Sequence, residues 1–113
     1  MQLKNNVSSN IASKIKKFLG EKIEDLSICE VTETEDGEII FDIIFEIYNY
    51  FVIVMKYDRG LIQFIINMPE DMYIPLTDVA FYSDENLEEC LRKLCEEAEL
   101  RIPDKYLAKY GWL

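Results

Sequence analysis

The chain has 113 residues and a mass of 13.3 kDa, and half of its residues are hydrophobic, which fits one folded domain over residues 1–113 and excludes a disordered chain. Its 22 acids against 12 bases leave a net charge of −10, and it has no histidine. The missing histidine excludes the usual catalytic triads and His-dependent metal sites, and the acidity argues against direct binding to nucleic acid or an anionic membrane.

In chain order, Val7, Ile11, Ile15, Phe18 and Leu19 form one apolar stripe of a helix over residues 7–19, with Lys14, Lys16 and Lys17 outside it. Gly20 is placed to end that helix, and the lysines suit the negative end of its dipole. Residues 1–20 are amphipathic and lack the apolar core of a signal peptide, and no apolar run approaches the length of a membrane span; a cytoplasmic protein is expected.

Four strands are expected next. The first covers about Leu26 to Thr34 and ends at Asp36-Gly37, a two-residue hairpin signal. The second, Glu38 to Ile47, places Ile39, Phe41, Ile43, Phe45 and Ile47 on one face, and the third, Phe51 to Tyr57, does the same with Phe51, Ile53, Met55 and Tyr57. A three-residue loop Tyr48-Asn49-Tyr50 pairs Phe45 with Ile53 and sets Asp42 opposite Lys56, whereas a two-residue turn would set Lys56 opposite Phe41 among apolar residues. The fourth strand, Leu61 to Met68, follows the turn Asp58-Arg59-Gly60 and stops at Pro69.

The opposite face of this meander alternates poorly: Cys29, Val31, Ile44, Val54 and Ile65 interrupt Asp42, Glu46, Lys56 and Gln63. A second element covering its middle is the default expectation, and a contact surface is the other. Residues 69–82 read as a loop because they hold two prolines and mixed polarity. Ser83-Asp84-Glu85 then opens a helix with Leu87, Leu91, Leu94 and Ala98 on its buried stripe, which Pro103 ends. A short tail helix follows, and Trp112 is expected to dock on the core.

The fold class is therefore α+β: an N-terminal helix, a four-stranded antiparallel meander, a C-terminal helix and a short tail helix. The expected core is Ile15, Phe18, Leu26, Ile28, Phe41, Ile43, Phe45, Ile53, Met55, Phe64, Ile66, Leu87, Leu91 and Leu94.

Chemistry is harder to place. Cys29, Cys90 and Cys95 match no zinc spacing and read as small buried hydrophobes. The four glycines are isolated, so no phosphate loop forms, and the many carboxylates lie on turns and polar faces where solvation is their ordinary role. No catalytic residue, cofactor or metal is expected, and the chain reads as a binding protein rather than an enzyme. Charge is the leading signal: residues 23–100 carry net −16, which would steer a basic protein toward them. The hairpin acids Glu33, Glu35, Asp36 and Glu38 are the first candidate contacts. The loop acids Glu70, Asp71 and Asp78 are the second, with Tyr48, Tyr50 and Tyr73 as aromatic anchors.

Small size, one mixed domain, acidity and the ending SDENLEECLRKLCEEAELRIPDKYLAKYGWL together resemble the immunity proteins of bacterial polymorphic toxin and contact-dependent growth inhibition systems. That resemblance implies a monomeric cytoplasmic protein that binds a toxin domain, often a basic nuclease, and blocks its active site; it transfers no individual residues. A small acidic secretion or assembly chaperone, holding a partner chain through the sheet face and acting as a dimer, is the alternative.

Overall fold

The computed structural model describes residues 3–70 and 72–112. Helix α1 (Leu3–Leu19) turns Ile11, Ile15 and Leu19 inward at four-residue steps, with Ala12 beside them. Phe18 departs from the expected core and is 40% exposed. It stands roughly 100° round the helix from Leu19, which already completes the inward line. Its ring instead borders a cleft between α1 and the second long helix, alongside Leu87 and Leu91.

Strands β1 (Ile23–Glu33), β2 (Ile39–Ile47), β3 (Phe51–Asp58), β4 (Leu61–Met68) and β5 (Met72–Pro75) form an antiparallel sheet in sequential order. A two-residue strand, β6 (Ala80–Phe81), also pairs with β4. The sheet thus exceeds the four strands expected, and the difference lies wholly in residues 69–82. Their prolines and acids hide a strand that runs along the edge of β4 in two pieces. Thr77 joins the pieces by accepting at Oγ1 from the Phe64 amide (3.0 Å), while its carbonyl accepts from Gln63 Nε2 (3.1 Å).

The central register is the expected one: Phe45 faces Ile53, Ile43 faces Met55, Phe41 faces Tyr57, and Asp42 faces Lys56. Tyr48 and Asn49 both take positive φ, the backbone hand that a tight turn between twisted strands prefers. The first hairpin differs from the two-residue turn that Asp36-Gly37 suggests. The Gly37 amide donates to the Thr34 carbonyl and the Thr34 amide to Glu38, which makes a three-residue loop with Gly37 at φ 84.

β1 departs most from simple alternation. Its register shifts between Glu24 and Ser27 and again between Cys29 and Thr32, with Asp25 and Glu30 at positive φ. These two bulges give a burial repeat near three, so Leu26 is only half-buried and Ile28, also expected in the core, is exposed at the sheet edge.

Helix α2 (Asp84–Leu100) starts at Ser83, whose Oγ accepts from the Asn86 amide (3.0 Å), and buries Leu87, Cys90, Leu91, Leu94 and Ala98. Helix α3 (Asp104–Lys109) adds Leu107, and Trp112 packs edge-on against Tyr48 with ring centres 5.4 Å apart. Residues from α1, α2 and α3 enter one apolar cluster with Phe41, Ile43, Phe45, Ile53, Met55, Phe64 and Ile66. All three helices therefore cover the same face of the sheet. No described helix is long and apolar enough to cross a membrane.

Candidate functional site

The uncovered face of the sheet can be read row by row from the register. One row runs Ser27, Ile44, Val54, Ile65, Pro75. The next runs Cys29, Asp42, Lys56, Gln63, and beyond it lies Thr32, Ile40, Asp58, Leu61, Phe81. On the other side of the apolar row, Glu24 stands opposite Glu46 and Glu46 opposite Val52, with Asn67 and Tyr73 facing each other further across.

Val54 and Ile65 are each 5% exposed, yet they are the buried apolar residues that do not belong to the helix-side core. The helices pack in the cluster on the other face, to which neither residue belongs. The covering element expected over this face is therefore absent among the described residues. The solvent-accessible surface, 7174 Å², is larger than the roughly 6,400 Å² usual for this mass. Phe81 (76% exposed) and Tyr73 (54%) stand at the two ends of the outer edge of this face.

The residues singled out from sequence fall in separate places. Glu33 ends β1, and Glu35, Asp36 and Glu38 stand exposed at the hairpin tip. Arg59 lies near that tip; its ion pair with Asp58 holds the guanidinium pKa above its ordinary value, and Asp36 and Glu38 add to the effect. Glu70, at positive φ, lies in the β4–β5 turn at the opposite end of the sheet. Asp78 is exposed on the edge between β5 and β6, and Asp71 lies outside the described residues. The two acidic groups therefore do not form one surface.

Tyr48 corrects one expectation outright. It is 1% exposed, so its ring belongs to the core and offers no contact to a partner. Burial, then its hydrogen bond to Glu99, push its hydroxyl pKa far up. Tyr50 is exposed and packs edge-on against Phe51 and Tyr106, with centres 4.8 and 4.9 Å away. Tyr106 Oη donates to the Asn49 carbonyl (2.8 Å), which ties α3 to the turn.

Cys90 and Cys95 are held as thiols, both pushed up chiefly by burial. Among the described residues no three His, Cys, Asp or Glu side chains converge on a metal-sized site. Sequence reasoning missed the Glu24–Glu46 opposition, because the bulge between Glu24 and Ser27 that sets it leaves no periodic signal. The irregular second face itself was visible in Ile44, Val54 and Ile65. No family model, curated protein or solved structure matches the chain.

Proposed function

We propose that this protein binds and neutralises a basic protein domain by covering its active site, as an immunity protein does its toxin, and that it performs no reaction itself. The observation that carries the reading is the net −16 over residues 23–100, shared between the sheet with its hairpin tip and helix α2 on the other side. Such a field draws a basic partner in and suppresses encounters with nucleic acid. The hairpin acids Glu35, Asp36 and Glu38 project beyond the sheet, where they can enter a cleft without disturbing it. A cytoplasmic monomer suits this role.

The test is association with the basic domain encoded by the neighbouring reading frame, at low and high salt. Expected is tight binding whose association rate falls as salt rises while dissociation changes little. Absence of binding to that domain overturns the reading. A second reading, an assembly chaperone, is favoured by the exposed Tyr73 and Phe81 on the uncovered face; it requires a stable dimer in solution, which sedimentation distinguishes from a monomer.

A further inference from the structure

We propose that the uncovered sheet face is the docking surface for that basic domain, with one partner arginine or lysine seated between Glu24 and Glu46 and partner apolar side chains against the exposed Val52, Leu61, Tyr73 and Phe81. The inference rests on the reading above and names the surface and the chemistry it takes.

Three observations select the occupant. Glu24 and Glu46 are direct cross-strand neighbours, an arrangement in which like charges cost stability. Among the described residues no lysine or arginine forms an ion pair with either. Two carboxylates side by side beside Val52 suit a guanidinium, whose planar fork can donate to both. An incoming cation turns a repulsive pair into an attractive triad, whereas an uncharged apolar segment would strip water from both carboxylates and leave them unpaired. A second copy of this chain would bring a second such pair against the first, between molecules of charge −10 each. A basic surface with an apolar centre satisfies all three.

The size of the face agrees. Five strands about 4.8 Å apart and about eight residues long give a face of roughly 500 Å². A standard interface needs about 800 Å² from each partner, so this face would be the centre and the neighbouring hairpin acids part of the rim. Edge pairing through β1 is a poorer route, because its two bulges break the regular hydrogen-bonding row.

The experiment compares wild type, E24Q/E46Q, V52R and Y73A/F81A, with E35Q/D36N as a rim control, for binding to the purified, inactivated basic domain of the neighbouring reading frame. Thermal melts of each variant alone run in parallel. Expected are losses of at least tenfold in affinity for each face variant and a smaller loss for the rim control. E24Q/E46Q should also melt higher than wild type alone, which a merely structural role for these acids would not produce. Wild-type affinity in all three face variants, with binding otherwise intact, overturns the docking surface and leaves the functional reading standing. Failure of the wild type itself to bind removes that reading and the docking surface with it. A wild-type dimer that V52R converts to monomer overturns the inference by placing a second copy on the face.

Discussion

The Tyr48 hydroxyl donates to the Glu99 carboxylate, joining the β2–β3 turn to α2 across 51 positions of sequence. The same tyrosine sits at φ 57, an uncommon conformation for a bulky residue. Its ring is buried against Trp112, and its amide donates to the Lys22 carbonyl at 2.7 Å. Turn, helix and tail thus hold one another, and the backbone strain is fixed by what the side chain gains in packing.

This arrangement predicts sensitivity to alkali. The Tyr48 hydroxyl and the Cys90 and Cys95 thiols all have pKa values raised in the fold, so the native state holds their protons more tightly than the unfolded chain. Their stabilisation is complete below the unfolded values, 9.0 for the thiols and 10.0 for tyrosine, and declines as pH rises above them. Each group can add a slope of up to about 1.4 kcal/mol per pH unit. Urea denaturation between pH 7 and 11, values chosen to bracket these roughly, should show stability falling from about 9 upward. Tyr48→Phe should start about 1.5 kcal/mol less stable at neutral pH through the lost charged hydrogen bond, and its decline above about 10 should be shallower.

Phe45 and Phe18 form a second, contrasting pair. Phe45 is almost wholly buried, faces Ile53 and meets the Phe64 ring edge-on with centres 6.5 Å apart. Phe45→Ala should cost about 3–5 kcal/mol. Phe18→Ala, at the rim of the α1–α2 cleft, should cost no more than about 1 kcal/mol. Chemical denaturation of both variants at neutral pH checks the contrast, and equal costs would contradict the placement of Phe18.

How much was legible follows from these particulars. The Phe41-to-Ile47 alternation and the charge match Asp42–Lys56 favoured the central register that the structure has, because a one-residue slip would have set the apolar residues of one strand against the polar face of the other. The same logic failed on β1, where bulges at Asp25 and Glu30 shift the phase twice and move Ile28 to the edge. It failed on β5 and β6 because a strand that hydrogen-bonds along only one edge tolerates prolines and exposed acids. At the site, the open face was written in Ile44, Val54 and Ile65, but the acids that border it depend on a register that the bulges conceal.

The Asp42–Lys56 pair should contribute little despite marking the register. Its Oδ2–Nζ distance is 3.5 Å and the lysine is about half exposed. A double-mutant cycle with Asp42→Asn and Lys56→Gln should give a coupling energy of about 0–1 kcal/mol that shrinks with added salt. A coupling much above that range would mean that the open face is drier than the structure shows.

The bulges on β1 make the last prediction. Asp25 (φ 56) and Glu30 (φ 54) hold a left-handed backbone, which costs an L-residue roughly 1–2 kcal/mol. Glycine removes that cost but loses more freedom on folding, by roughly 0.5–1 kcal/mol. The net gain from Asp25→Gly or Glu30→Gly should therefore lie between about 0 and 1.5 kcal/mol. Aspartate tolerates the left-handed region better than glutamate, since its short side chain can bond locally to the backbone, so Glu30→Gly should gain more than Asp25→Gly. Both side chains are exposed and enter none of the ion pairs described, so little else is lost on replacement. Equilibrium denaturation of the two single variants measures the ordering directly. A loss of stability in both would show that β1 does not hold these bulges in solution.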